Sequence, residues 1–349
     1  LQSEVARAIA AEIRVTLTPE EKRRLAAAGP VDPEAYDACL KGRFHFYKLS
    51  REHLETALRY YEIALEKDPA CARAWAGIAT VWGSLTDSGF APPHEAIPKA
   101  RAAAARALDL DGSLAEVHVS LGNLEFCQGW NWTGAETEFR RALSLDPGSA
   151  DAHFFYADLL ISVGRGDEAA AEFRRALELD PFNSFSQCFF GWHLVYQGRC
   201  DEAIAQLHRA LQMEPDFSSA WLGLWGACYR KAALDDALAA ATRFFGVLGD
   251  GEIVAALGQG SAEHGYAGAM GLAAQRLVAR AQQVHVPAVR IARLWAHAGE
   301  AGHALEWLER AHLWHESPLV HLPVGWDWDN LRPDPRFHSI LRRIGFPQH

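Results

Sequence analysis

Ala142-Leu-Ser-Leu-Asp-Pro147, Ala176-Leu-Glu-Leu-Asp-Pro181 and Ala210-Leu-Gln-Met-Glu-Pro215 close three successive stretches of this 349-residue chain in the same way. Their prolines recur at intervals of 34 residues. A fixed interval of roughly 20–50 residues marks stacked supersecondary units, none of which can bury its apolar face alone. Earlier copies end at Ala64-Leu-Glu-Lys-Asp-Pro69 and Ala107-Leu-Asp-Leu-Asp-Gly112, followed by intervals of 43 and 35 residues. Those units carry an insertion or a slipped turn.

Residues 150–181 show the physical logic of one unit. Phe155, Tyr156, Leu159, Leu160 and Val163 follow the three-to-four spacing of an amphipathic helix. Gly164 suits a left-handed cap that stops it, and Asp167 suits the first free amides of a second helix. Ala169 and Ala176 let paired helices approach, Phe173 fills the layer between them, and Pro181 ends the second helix. The next unit repeats the scheme with Phe190, Gly191, Leu194, Gly198, Asp201, Ala203, Leu207, Ala210 and Pro215, and the one after with Trp221, Leu224, Asp235, Ala237 and Phe244.

This order of aromatic, Leu-Gly, Tyr, Ala, Phe, Ala and Pro resembles the tetratricopeptide repeat over residues 34–315. The resemblance implies an all-α, right-handed solenoid of antiparallel helix pairs, with about 14 to 18 helices in about seven pairs and no sheet. Period-2 alternation is nowhere sustained, which independently excludes a sheet fold. Glu125 stands where the family prefers an aromatic and Trp225 where it prefers Gly. Residues 245–287 are least regular, with Gly in place of the closing Pro.

Three further segments flank or interrupt the array. Residues 1–33 read as N-terminal helices joined to an upstream module, with Thr18 a cap before Pro19. A first residue Leu1 rather than Met reads as a piece of a longer protein. The wording of residues 2–21 is similar to the segment that precedes repeat arrays in bacterial multidomain regulators, whose upstream module is a winged helix, a kinase, a cyclase or a TolB-like domain. Residues 316–349, with Asp329-Asn-Leu-Arg-Pro-Asp-Pro-Arg-Phe337, resemble the tail that closes such arrays. Residues 83–98, with Pro92-Pro93 and two glycines, read as an inserted loop at the solenoid edge or a flap over its groove. Thr133 is placed as the cap of the helix after Trp130-Asn-Trp132.

Composition excludes several function classes. The formal net charge is −10, the reverse of the basic face that neutralises phosphates, so no nucleic acid is expected. No apolar run approaches the roughly 18 residues of a membrane span. Six cysteines without a CxxC pair point to a reducing, cytoplasmic setting, or a periplasmic one if a membrane segment lies upstream. No Walker A loop, HExxH, GxSxG or complete GxGxxG is present, so no cofactor and no catalytic residue is assigned. His312 and His315 lie a turn apart, with His303 nearby; exposed or capping roles are favoured there over a metal site.

In the family the first helix of each pair lines the concave face. Aligned by the repeat, the inward positions carry Phe126, Phe154, Asp158, Phe185, Trp192, Tyr196, Leu222, Tyr229 and Arg230. Family members that clamp a terminal carboxylate use Lys and Asn at the fifth and ninth positions of the unit; here Val119, Phe154, Cys188 and Leu222 stand at the fifth and only Asn123 fits at the ninth, so that clamp is excluded. An aromatic groove suits an apolar peptide, an amphipathic helix or a small hydrophobic molecule. The expected function is a protein- or peptide-binding scaffold or sensory module of a larger bacterial regulator, not an enzyme. The alternatives are a pocket for catalysis or a small molecule assembled from several repeats, self-association through residues 1–28, and a groove filled by a terminal helix. Convergence of two or more His, Asp, Glu or Cys side chains within hydrogen-bond reach in one concave pocket, or a bound metal, is the observation that would favour catalysis and overturn a binding-only reading.

Overall fold

A computed structural model describes residues 32–347, which form sixteen helices and no strand. The helices expected over residues 1–28, with the Thr18 cap, lie outside the described residues. The pairs are α1 (Pro33–Phe46) with α2 (Arg51–Lys67), α3 (Ala72–Asp87) with α4 (Pro93–Leu110), and α5 (Ala115–Asn123) with α6 (Trp132–Leu145). They continue as α7 (Ala150–Ser162) with α8 (Gly166–Leu179), α9 (Ser184–Tyr196) with α10 (Cys200–Met213), and α11 (Ser218–Arg230) with α12 (Leu234–Val247). Then follow α13 (Gly251–Arg280), α14 (Ala288–His297) with α15 (Ala301–Leu313), and α16 (Pro335–Ile344).

Within a pair, a small residue on the first helix receives a large side chain from the second. A Cβ on Gly122 would stand 2.6 Å from the Phe139 ring, and one on Gly191 would stand 2.7 Å from Leu207. Phe139, Phe173, Leu207 and the alanines around them are fully buried. Ser149 and Asn183 accept from the first free amides of α7 and α9, at 3.2 Å in both cases. Gly164 and Gly198 take positive φ at the turns.

Several local expectations need correction. Asp167 and Asp201 lie inside the first turns of α8 and α10 and make no side-chain cap; their carboxylates instead sit where the helix dipole favours negative charge. Asn131, not Thr133, caps α6, accepting from the Gly134 amide at 3.1 Å. Residues 83–98 are not a long loop. Only residues 88–92 connect α3 to α4, because Pro93 starts a helix where no amide partner is required. The irregular stretch at Glu125 is a π-turn over Leu124–Gln128 that extends α5. Helix α13 breaks at His264 and Gly265 and doubles back, with Gly260 and Gly268 backbones in close approach.

The superhelix is tight enough to bring distant pairs together. Tyr47 donates to Asp151 at 2.6 Å, Lys48 pairs with Glu214, and Phe46 meets Phe185 with ring centroids 5.7 Å apart. The Arg290 guanidinium donates to the Ser88 carbonyl at 3.2 Å, joining α14 to the α3–α4 connection. Pro287 packs on Gly89, where a Cβ would be 2.1 Å away.

Candidate functional site

The groove on the inner face is largely occupied by the chain itself. After α15, residues 316–332 turn inward through two short 3-10 turns, Ser317–His321 and Trp326–Trp328. Trp326 is 2% exposed. Its ring stacks on Tyr196 with centroids 4.9 Å apart and meets Trp192 edge-on at 5.2 Å. Gly226 of α11 makes this possible, since a Cβ there would lie 2.2 Å from the indole. The groove-filled alternative of the sequence reading therefore describes this part of the concave face.

Polar contacts fix the segment. His321 Nε2 pairs with Asp158 Oδ1 at 2.8 Å, and Gln128 donates to the Ser317 hydroxyl at 3.3 Å. Asp327 is buried, yet it accepts from Arg293 Nε at 2.8 Å and pairs with His297 Nε2 at 2.8 Å. Burial pushes the Asp327 carboxyl up, but the Arg293 and His297 side chains outweigh it and hold it below its ordinary value. Burial keeps His297 low against the pull of Asp327, so its imidazole is neutral. With Nε2 donating to Asp327, Nδ1 accepts from the Tyr266 hydroxyl at 2.5 Å, which accepts from Trp225 Nε1 at 2.7 Å. Every member of that chain has its partner, as a buried polar network requires.

Between the inner helices and this segment a cavity of about 210 Å³ remains. Of the residues expected to bind, Phe154, Asp158, Phe185, Trp192, Tyr196 and Leu222 line it together. Three do not. Phe126 is fully buried behind His321, with ring centroids 6.1 Å apart. Tyr229 stacks on His297 at 3.9 Å, and Arg230 donates to the Val195 carbonyl at 2.6 Å with Asp329 at 3.8 Å. The lining also includes Asp87, Phe244, Arg290, Arg293, His321 and Trp326, none of which the repeat alignment placed in the groove. The run Gly325-Trp326-Asp327-Trp328 was the available signal, because paired indoles are out of place in a polar end cap.

Two carboxylates and an imidazole thus converge on one concave cavity, the arrangement named above as favouring catalysis. Burial pushes Asp87 up to about 7, against the Ser317 hydroxyl that favours its charged form. Among the described residues no hydroxyl or thiol hydrogen-bonds to His321, and the Cys127 thiol is pushed up by burial and by Asp87 and Asp158. The histidines near the C-terminus are packed against indoles: His315 on Trp130 at 3.7 Å, and His303 against Trp295 at 4.8 Å. Among the described residues no group of three His, Cys, Asp or Glu side chains could hold a metal ion. No helix among them is long and apolar enough to cross a membrane.

Antiparallel helix pairs stacked around a concave, aromatic face define a helical-repeat scaffold. The chain contains tetratricopeptide repeats: the tetratricopeptide repeat profile matches residues 47–82, 131–184 and 190–244. It is 34% identical over 126 residues to a putative adenylate cyclase 3 of Rhizobium meliloti (strain 1021), covering 35% of this chain and 21% of that relative. The chain therefore spans about a fifth of the length of the curated relative it matches. Among solved structures, the APC/C hetero-tetramer Cut9–Hcn1 resembles it with a TM-score of 0.58 and 15% identity, covering 95% of this chain and 60% of that one. YrrB, a repeat protein with an unusual peptide-binding site, has 21% identity and a TM-score of 0.35, covering 54% of this chain and 93% of its own.

Proposed function

We propose that this array is the ligand-binding, sensory part of a larger regulator, and that it takes its ligand in the aromatic hollow of the concave face. The observation that carries the reading is the cavity of about 210 Å³ left between α7, α9, α11 and the inward-folded C-terminal segment. A long peptide lying along the groove would have to displace Trp326, whereas a small or short ligand fits beside it. Similarity to part of a putative adenylate cyclase supports an output module elsewhere in the parent chain. The outer helix faces are then free for protein contacts, as expected of a scaffold whose structural neighbour assembles as a hetero-tetramer.

The experiment is a thermal-shift comparison between the chain and Leu222→Trp, which fills the hollow. The low-molecular-mass fraction of a bacterial extract raises the melting temperature of the unaltered chain and leaves the variant unmoved. A shift retained in Leu222→Trp, or produced by the protein fraction alone, places binding elsewhere and ends this reading.

A second reading, acid–base catalysis in the same hollow, is favoured by the Asp158–His321 pair. Against it, the pair fastens residue 321 to α7, and among the described residues no hydroxyl or thiol hydrogen-bonds to the imidazole. A reaction on any ligand found in the hollow, abolished by His321→Gln with binding intact, would establish it.

A further inference from the structure

We propose that the hollow binds a small organic monocarboxylate, whose carboxylate pairs with Arg290 while its apolar or aromatic body lies among the rings of α7, α9 and Trp326. This rests on the reading of the hollow as the ligand site and assigns the ligand's chemical class.

Arg290 lines the hollow from the first turn of α14. Among the described residues it makes no ion pair. Its guanidinium donates to one backbone carbonyl, that of Ser88, and stands 6.0 Å from the Phe244 ring centroid. The arginines around it are differently placed. Arg293, one turn on, is paired with Asp327 at 2.8 Å, and Arg280 holds both oxygens of Asp250 at 2.6 and 2.9 Å. The other nearby carboxylate, Glu316, has its two oxygens taken by the Ala288 and Val289 amides at 2.7 and 2.9 Å. Among the described residues no carboxylate forms an ion pair with Arg290, although Asp250 and Glu316 lie near enough to favour its charged form.

A part-buried cation without a counter-charge is costly, and the protein has several ways to avoid one. Here burial, with Arg293 and Arg280 close by, lowers Arg290 to about 10, still charged at neutral pH. The planar fork of a guanidinium matches a carboxylate bidentately. An incoming carboxylate therefore supplies the missing charge and the missing acceptors at once.

The remaining walls define the rest of the ligand. Phe154, Phe185, Trp192, Tyr196, Phe244 and Trp326 present ring surface, so the body is apolar. The volume exceeds by far the roughly 10–15 Å³ that one water needs, and suits an acid of about ten non-hydrogen atoms. Asp158 also lines the cavity and opposes a second negative charge, which argues against phosphate and dicarboxylates.

The test is isothermal titration of the 349-residue chain with hydrocinnamate, indole-3-acetate and octanoate, and with hydrocinnamamide as the uncharged match. At least one acid binds saturably, hydrocinnamate binds about ten- to a hundredfold more tightly than its amide, and inorganic phosphate does not compete. Arg290→Gln brings the acid down to the affinity of the amide, and Arg290→Lys leaves an intermediate affinity. Because Arg290 also holds Ser88, circular dichroism checks the variants, and the acid–amide comparison on the unaltered chain stands without them. Equal binding of acid and amide, or undiminished acid binding in a folded Arg290→Gln, overturns the carboxylate assignment and leaves the hollow as the site. Failure of all four probes while the extract fraction still shifts Leu222-containing chain overturns it likewise; failure of both removes the hollow reading itself.

Discussion

Trp326 lies flat on Tyr196, ring centroids 4.9 Å apart and planes within 26° of parallel, so a residue of the C-terminal segment sits in the groove that the repeat reserves for a partner. The inner surface of the array is in this respect self-liganded. What remains for an outside molecule is the hollow beside the indole.

Substituting Gly226 tests how the segment is seated. Ala in an exposed helix interior stabilises by up to about 1 kcal/mol relative to Gly. At Gly226 the added methyl would collide with Trp326 at 2.2 Å. Gly226→Ala is expected to cost about 1–3 kcal/mol instead, and to open residues 316–332 to limited proteolysis. A higher melting temperature with unchanged proteolysis contradicts the packing described.

Asp327→Asn leaves the part-buried Arg293 guanidinium without its counter-charge. Removal of one partner from a buried pair costs about 3–5 kcal/mol. The folded-state value of Asp327 is depressed, so its contribution is complete above the ordinary carboxylate range and is lost as pH falls through that lower value. Thermal melts from pH 7 down to about pH 3 should therefore show the difference between the chain and the variant shrinking only at the acid end. A constant difference across that range is incompatible with the assignment.

Asp87 has the opposite sign. Its value is raised to about 7, chiefly by burial, so the folded state holds a proton that the unfolded chain releases near pH 4. Stability attributable to Asp87 falls as pH rises across that window and is lowest above it. Asp87→Asn should raise stability at pH 8 by about 1–3 kcal/mol and have little effect near pH 4. Chemical denaturation at the two pH values decides.

Cys39 and Cys71 bring their sulfurs to 3.8 Å across α1 and the start of α3. The shared hydrogen bond and the Ala74 amide lower the Cys71 thiol despite burial, which favours its thiolate over that of Cys39. Treatment with diamide should join these two cysteines before any of the four others, as read by mass spectrometry of the digested chain. Preferential modification of Cys127 or Cys188, both buried and pushed up, would contradict this ordering.

The repeat was legible because its signal is local. The 34-residue interval, the glycines that receive Phe139 and Leu207, and the proline stops all act within one or two neighbouring helices. Cap assignment failed by one or two residues at Asp167 and Thr133, since several polar residues near a helix start compete for the same amides. Six of the nine predicted inner residues meet in one cavity for the same local reason: the periodicity of a helix sets which side faces inward. Tyr229 and Phe126 are engaged elsewhere because their neighbours come from residues 297 and 321, beyond the reach of any repeat rule, and Arg230 is turned onto the Val195 carbonyl of the preceding pair. Arg290 was invisible for a further reason. Its setting exists only once the superhelix has turned far enough to bring Ser88 beside α14.

The bond from Arg290 to Ser88, with Pro287 pressed on Gly89, changes how the array can come apart. In a linear stack each unit touches only its neighbours, and melting can begin at either end and travel inward one unit at a time. Here the α3–α4 pair is fastened to the α14–α15 pair, and the C-terminal segment is fastened to α7 and α14. Loss of any one pair slackens contacts on the far side of the molecule. Unfolding is thereby pushed towards a single concerted transition, and a ligand bridging α14 and α9 would tighten that coupling.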